Sequence, residues 1–212
     1  MDWNNELEAQ IKRDTTFHIG LVQGQFHAED LPVYPAARPM RLPLRNNSPD
    51  NFQTPKCAID VLVPFMRDGA TVWEVAAGEG NLVEAFSAAG FNCFGTDIET
   101  GFDFLTNTQY KDYDYIVTNP PYSKGLKDKF LHRCCYLDKP FALLMPITAQ
   151  EGEKRIKLYQ QYGIQIINVY PRLRFKTPSG LEGKASSPHF ASSWYTRGFN
   201  LPERLIWRRV TQ

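Results

Sequence analysis

Thr71-Val72-Trp73-Glu74-Val75-Ala76-Ala77-Gly78-Glu79-Gly80 is the stretch on which the fold turns. Its first six residues are mostly β-branched, aromatic or apolar, too few for a helix and bounded by a glycine turn, so they predict a short buried strand. Asn81–Ala89 then carries helical spacing and is closed by Gly90. Phe91–Thr96 is the next strand and terminates in Asp97. Two strands joined by a helix form a βαβ unit, which implies a parallel sheet.

The same alternation extends in both directions. On the amino-terminal side, Thr54-Pro55 reads as a helix cap followed by a proline at the first helical position. Cys57-Ala58, Val61-Leu62 and Phe65-Met66 supply an apolar stripe, and that helix is expected to end near Asp68-Gly69. On the other side, Asp114–Thr118 is a buried strand, Gly125–Tyr136 a helix, Phe141–Met145 a strand, Glu151–Tyr162 a helix and Ile164–Tyr170 a strand. Ser192–Thr196 and Leu205–Arg209 have no helix between them and read as a closing antiparallel pair. The predicted fold is therefore α/β, a Rossmann-like doubly wound sheet with an antiparallel edge. Residues 51–212 form this domain. Residues 1–50, interrupted by Pro32, Pro35, Pro39, Pro43 and Pro49, form an amino-terminal arm with room for a short helix only over Trp3–Arg13.

A chain of 212 residues with 42% hydrophobic and 22% charged residues has enough apolar side chain for one real core, which excludes wholesale disorder, coiled coil and collagen. No apolar run approaches the ~18 residues of a membrane span, and Met1-Asp2-Trp3-Asn4-Asn5-Glu6 does not resemble a signal peptide, so a cytoplasmic protein without a membrane partner is expected. Cys57, Cys93, Cys134 and Cys135 form no Cys-x-x-Cys pair, and His27, His132 and His189 add no ligand spacing. Reduced core thiols and no metal site are expected. The net charge of +1 hides an asymmetry: residues 1–106 carry 7 Lys and Arg against 15 Asp and Glu, a net of −8, whereas residues 107–212 carry 17 against 8, a net of +9. An acidic half that holds a small cofactor and a basic half that meets a polyanion is one account, two ordinary solvated faces the other.

Ligands of open parallel sheets bind beyond the carboxyl ends of the strands. Three such ends here carry polar or glycine residues. Gly78 and Gly80 let a ligand approach the main chain next to a helix amino terminus. Asp97, 17 residues after Gly80, can accept hydrogen bonds from both hydroxyls of a ribose. Asp103-Phe104 offers a carboxylate and an apolar ring for an adenine. The third end, Asp114-Tyr115-Ile116-Val117-Thr118-Asn119-Pro120-Pro121-Tyr122, is the decisive one. Prolines stiffen the chain just beyond the strand and provide no N–H to capture nearby oxygens, which leaves the Asn119 amide oxygen and the Pro120 carbonyl as two adjacent acceptors suited to an NH2 group.

The order of Phe52-Gln53-Thr54-Pro55, Glu74-x-x-x-Gly78-x-Gly80, Asp97, Asp103-Phe104 and Asn119-Pro120-Pro121-Tyr122 resembles the S-adenosylmethionine-dependent amino-methyltransferases, and most of all the DNA adenine-N6 methyltransferases of compact, solitary or phage-like type. The resemblance covers roughly residues 52–210 and implies a class I methyltransferase fold and S-adenosylmethionine as cofactor, with S-adenosylhomocysteine as product. It implies that Thr54 and Pro55 border the methionine end of the cofactor, that Glu74 lies near its ammonium, and that Gly78 and Gly80 admit its backbone contacts. Asp97 then matches the ribose-binding acid, Asp103 the adenine acceptor and Phe104 the backbone that reads the ring edge, with Ala76 and Ile98 beside them. Glu74 stands where Asp is commoner. Asn119, Pro120 and Tyr122 match the catalytic motif.

An adenine amine is a poor nucleophile because its lone pair is delocalised into the ring. Two acceptors on its hydrogens favour a pyramidal nitrogen and align it for in-line displacement, a task of electrostatics and orientation that needs no basic histidine. A base taken out of a duplex needs aromatic faces. Tyr122 is one expected face and Phe175, in Tyr170-Pro171-Arg172-Leu173-Arg174-Phe175, the other. Arg172, Arg174, Lys176, Lys184 and Arg197, with Lys124, Lys127 and Lys129, make phosphate contacts the expected use of the basic half, and DNA the expected partner. Only Lys176–Phe190 and the arm remain for base readout, so specificity is expected to be low. The Asn-Pro-Pro-Tyr motif is shared with enzymes that methylate exocyclic amines of RNA and glutamine amides of proteins, and a noncatalytic nucleic-acid-binding subunit is the reading from another class. For residues 1–50, with Arg38, Arg41 and Arg45, two readings stay open: a basic strap on phosphate or on a partner subunit of a homodimer or heterocomplex, and a segment that packs along the surface through Leu31, Val33, Tyr34 and Leu42.

Overall fold

Seven strands make one sheet in the order β2-β1-β3-β4-β6-β5-β7. In chain order they are β1 (Thr71–Glu74), β2 (Asn92–Gly95), β3 (Tyr115–Thr118), β4 (Phe141–Pro146), β5 (Gln165–Tyr170), β6 (Ser192–Arg197) and β7 (Leu205–Arg209), with helices α1 (Asn81–Ala88), α2 (Leu126–Leu137) and α3 (Glu153–Tyr162). This computed structural model describes residues 52–108, 111–175 and 191–211. Residues 1–50, read from the sequence as an arm with its arginines, and residues 176–190, with Lys176 and Lys184, lie outside the described residues.

The βαβ reading of the opening stretch holds: β1 pairs in parallel with β2 and with β3, and β3 in parallel with β4. The strands are short and buried on both sides, so their residues alternate between two cores. Val72, Val117 and Leu144 point to one, which α1 covers through Leu82 and Phe86. Trp73, Ile116 and Leu143 point to the other, which α2 and α3 cover through Phe130, Leu131 and Leu158. Helices on both faces define the doubly wound arrangement. Trp73, fully buried, is ringed by Phe94, Phe102, Phe104 and Tyr113 at centroid distances of 5.0–6.0 Å, and its Nε1 donates to Thr96 Oγ1 at 2.8 Å. Cys134 and Cys135 are buried thiols of the same core. No helix among the described residues is long and apolar enough to cross a membrane.

Two expectations are corrected. The helix after Thr54-Pro55 is instead a pair of 3-10 turns, Lys56–Ile59 and Val63–Phe65, and the Thr54 side chain caps neither. Pro64 lacks an N–H and its ring would clash with the carbonyl four residues back, so the α-helix cannot pass through it. The apolar stripe still buries Ala58, Ile59, Val61 and Leu62. The antiparallel strand is also not at an edge. β6 lies between β4 and β5, antiparallel to both, and β7 pairs in parallel with β5, not with β6. Burial explains the difference: Ser192–Thr196 are buried throughout, as an interior strand requires, whereas β7 alternates in the manner of an edge strand. Because β6 runs antiparallel, it finishes at the sheet edge where β7 begins. A short loop therefore suffices, held where Gln165 Nε2 donates to the Leu201 carbonyl at 2.9 Å and Gln165 Oε1 accepts from Leu201 N–H at 3.0 Å.

The segment before β1 is fastened by Trp194 of β6, whose Nε1 donates to the Ala58 carbonyl at 2.8 Å in a buried contact. Trp194→Phe keeps most of the apolar volume and leaves that carbonyl without its donor, which is expected to cost about 1–3 kcal/mol. For a domain of this size the melting temperature should fall by about 2–4 °C per kcal/mol, measurable by calorimetry. An unchanged melting temperature would show that this bond does not fasten the segment.

Candidate active site

The chain leaves β1 for β2 on one side and returns to β3 on the other, so the carboxyl ends of these strands open around a switch point. A cavity of about 360 Å³ lies there, bordered by Phe52–Thr54, the turn after β1, the loop after β2, Asn119 and Pro121, and α2. Among the described residues that line it are five carboxylates, Glu74, Glu79, Asp97, Glu99 and Asp103, and no lysine or arginine.

Asp97 organises its rim. Oδ2 accepts from the Gly78 N–H and Oδ1 from the Glu99 N–H, both at 2.9 Å. Each carboxylate oxygen keeps a further lone pair for an incoming hydroxyl. Gly78 has φ +51° and a Cβ there would come within 3.0 Å of Gln53 Nε2, so both conformation and space call for glycine. Gly80 differs. It adopts φ +84° as the residue capping α1, a Cβ would meet no protein atom within 4 Å and the residue is not among those lining the cavity, so its backbone conformation alone calls for glycine. Gln53 is buried and its Oε1 accepts from the Glu79 N–H at 3.3 Å, which closes the turn from above.

Glu74 is 1% exposed, with Oε1 accepting from the Ala76 N–H at 3.0 Å. Burial pushes its pKa up to about 8; the Thr118 hydroxyl and the Ala76 N–H oppose the rise and the charge of Asp97 adds to it. The Thr118 Oγ1 is buried and makes no hydrogen bond of standard geometry among the described residues, yet it lies close enough to favour the ionised carboxyl. Asp103 Oδ1 accepts from the Leu105 N–H at 2.9 Å, and Phe104 is buried against Trp73 and Phe130. Thr54, Ala76 and Ile98 also line the cavity; Pro55 and Pro120 do not, although Thr54, Asn119 and Pro121 next to them do. His132, on α2, does not line it, and burial lowers its pKa.

Tyr122 does not stand at the mouth as a loose ring. Its hydroxyl lies 2.7 Å from Asn119 Oδ1 and 2.9 Å from the Leu144 carbonyl, so it ties the motif to β4. Lys124 is exposed at φ +50° just before α2. Arg172 and Arg174 are exposed beyond the end of β5, away from the cavity lining. Phe175 is corrected: at 7% exposure it belongs to the core under α1, with Val169, Leu173 and Phe199, and offers no face to a base. Arg197 is corrected as well. Since β6 is antiparallel, Arg197 sits opposite Phe141 at the start of β4, at the other edge of the sheet, where it pairs with Asp138 at 2.6 Å.

Residues missed by sequence reasoning are Leu126 and Phe130, whose i, i+4 spacing on the helix after the motif was a usable signal, and Gly95. A Cβ on Gly95 would lie 2.7 Å from Ala77 Cβ and 3.0 Å from Val83 Cγ2, so this strand glycine lets β2 approach the turn and α1.

No protein-family model matches the chain, and no curated protein does. Solved structures resemble it in fold. A Listeria monocytogenes protein described as a class I S-adenosylmethionine-dependent methyltransferase is 12% identical, with a TM-score of 0.48 over 76% of this chain and 66% of that one, just under two thirds of its length. A TehB-like S-adenosylmethionine-dependent methyltransferase from Corynebacterium glutamicum is 11% identical, with a TM-score of 0.41 over 67% and 85% of the two chains. A release-factor-specific protein-(glutamine-N5) methyltransferase from Alicyclobacillus acidocaldarius is 19% identical, with a TM-score of 0.37 over 66% and 86%. Likeness at this level transfers no residue, substrate or activity.

The raised pKa of Glu74 has a stability consequence. In the unfolded chain the carboxyl ionises near 4.5, in the folded one near 8, so the folded state holds a proton that the unfolded state gives up. That contribution is complete below pH 4.5 and is lost as pH rises through 8. Glu74→Gln should remove the decline and melt several degrees above wild type at pH 8 and higher. A wild-type melting temperature unaffected by Glu74→Gln across this range would mean that Glu74 is already ionised at neutral pH.

Proposed function

We propose that the chain transfers a methyl group from S-adenosylmethionine to the exocyclic N6 amine of adenine in DNA, with limited sequence specificity. The observation that carries this reading is the juxtaposition of Asn119 and Pro121 of the Asn-Pro-Pro-Tyr turn with a carboxylate-lined cavity that holds no basic residue among those described. The cavity volume falls within the roughly 300–1,000 Å³ of small-ligand sites. S-adenosylmethionine bears a sulfonium and an ammonium and no phosphate, which suits such a lining. A dinucleotide would set two phosphates against five carboxylates with no Lys or Arg to offset them.

In this reading Asp97 receives the ribose hydroxyls, Asp103 the adenine amine, and Glu74 faces the ammonium, whose charge draws the carboxyl back to its ionised form. When bound, S-adenosylmethionine supplies an electrophilic methyl group. The chain's own part is to hold the target nitrogen, with the Asn119 amide oxygen and the Pro120 carbonyl accepting its two hydrogens. Tyr122 supports that arrangement. Its hydroxyl has a single proton and faces two oxygens, at 2.7 and 2.9 Å. With the Asn119 amide turned by half a rotation, Nδ2–H donates to Tyr122, Tyr122 donates to the Leu144 carbonyl, and the Asn119 oxygen is left for the substrate. Exposed Arg172, Arg174 and Lys124 support a polyanionic substrate.

Labelled methyl transfer to DNA, RNA and protein, assayed in parallel, tests the substrate, and N6-methyladenine in DNA is the expected product. Label on RNA or on a protein glutamine alone would remove DNA and retain the amino chemistry; absence of cofactor binding by calorimetry would remove the enzyme. Asp97→Ala should weaken cofactor binding by about 1.5–3 kcal/mol. Asn119→Ala should abolish turnover with cofactor affinity kept. Tyr122→Phe should lower kcat by about tenfold, the equivalent of one hydrogen bond, and leave cofactor affinity unchanged. If Tyr122→Phe turns over like wild type, the tyrosine acts through its ring and not its hydroxyl.

A further inference from the structure

The outer part of the sheet, on the face that α2 and α3 cover elsewhere, carries two exposed aromatic rings. Tyr170 at the end of β5 is 47% exposed and Trp207 on the edge strand β7 is 57% exposed, with ring centroids 6.5 Å apart. Strand register places them together: Tyr170 lies opposite Arg209, and Trp207 opposite Asn168 two residues earlier. Leu205, Trp207 and Arg209 therefore share the exposed face of β7, while Ile206 and Arg208 turn to the other side, where Arg208 lies over the Phe65 ring. Exposed Arg209 flanks Tyr170 on one side and exposed Arg172 follows it on the other. Of the arginines in this part of the sheet, Arg172, Arg174 and Arg209 are exposed at the carboxyl-end edge with the two rings, whereas Arg204 and Arg197 lie at the opposite edge, Arg197 paired with Asp138.

We propose that Tyr170 and Trp207, with Arg172 and Arg209, form a platform for a single-stranded stretch of nucleic acid flanking the target base: bases stack on the two rings and the guanidiniums take the neighbouring phosphates. This rests on the nucleic-acid reading given above. Charge complementarity selects the occupant, because the exposed arginines beside the rings, Arg172 and Arg209 with Arg174 nearby, suit a polyanion, and two exposed rings suit a polyanion that also carries flat, stackable groups. The geometry suits the same substrate. β7 lies four strands from β3, about 19 Å at about 4.8 Å per strand, and on the same carboxyl-end edge Arg209 and Tyr170 share with Asn119. A stacked strand rising about 3.4 Å per nucleotide covers that distance in five or six nucleotides.

The test uses the full chain, fluorescein-labelled single-stranded oligothymidylate of twenty residues, and heparin as a polyanion without bases. Trp207→Ala should weaken oligonucleotide binding roughly 5- to 100-fold, with Trp207→Phe in between and heparin binding unchanged. Arg172→Gln with Arg209→Gln should reduce the slope of log affinity against log salt by about 0.7 for each phosphate that is no longer neutralised. Melting temperature and cofactor affinity should stay at wild type in all of these, since the residues are exposed and remote from the cavity. Equal oligonucleotide affinity in Trp207→Ala and wild type overturns the platform while leaving the nucleic-acid reading intact. Equal loss for heparin and oligonucleotide overturns base stacking. Wild-type protein that binds and methylates no nucleic acid overturns the underlying reading and the platform with it. A change from dimer to monomer in Trp207→Ala, at constant oligonucleotide affinity, overturns the platform and assigns the face to a second copy of this chain.

Discussion

The carboxylate of Asp97 joins the two loops that form the cavity rim. One oxygen fixes the Gly78 amide of the turn after β1 and the other the Glu99 amide of the turn after β2, so the ends of two strands are set by one side chain. That linkage determines where the rim lies, and it works only because Gly78 accepts φ +51° with Gln53 packed above it. Gly95 completes the constraint from below, where any side chain would strike Ala77 and Val83. The acid that the sequence suggests for a ribose is thus also a structural clamp, and its substitution acts on the shape of the turn as well as on ligand contacts.

The second site element is built by a similar economy. Tyr122 reaches from the loop after β3 to the Leu144 carbonyl of β4, so the rigid Asn-Pro-Pro turn is anchored to a strand buried along its whole length. The prolines limit backbone freedom and the tyrosine limits the side chain of Asn119. Preorganised acceptors are worth more than mobile ones because no reorganisation is required as the reaction proceeds.

Much of this was legible in the sequence, for physical reasons that differ by element. The β1–α1–β2 unit and β3 through β5 announce themselves because buried parallel strands are short apolar runs and their helices have 3.6-residue periodicity. Asp97 and Asn119 were legible because strand ends are where polar residues must be explained. The placement of β6 was not, since an interior antiparallel strand and a member of an edge pair have the same local pattern, and only the full burial of Ser192–Thr196 distinguishes them. Pro64 is a visible signal against a long helix that the apolar stripe outweighs. Phe175 escapes a reading by spacing because an aromatic after a strand end can turn toward the site or under α1, a choice decided by packing with Leu173 and Phe199.

The charge asymmetry of the two halves acquires a spatial form in the fold. Five carboxylates line the cavity at the end of β1 and in the segments that follow β1 and β2, while Arg172 and Arg174 just beyond β5 and Arg208 and Arg209 of β7 lie toward the other end of the strand order. Four to six strand spacings separate them, on the order of 20–30 Å. At physiological salt the Debye length is ~8 Å, so the two fields do not cancel: each acts on its own surroundings almost undisturbed by the other. A net charge of +1 is consequently a poor guide to what the molecule attracts. Negative charge is concentrated at the cavity and positive charge toward the outer strands, and because β2-β1-β3 and β5-β7 belong to one sheet, the distance between those two fields is held constant by strand pairing.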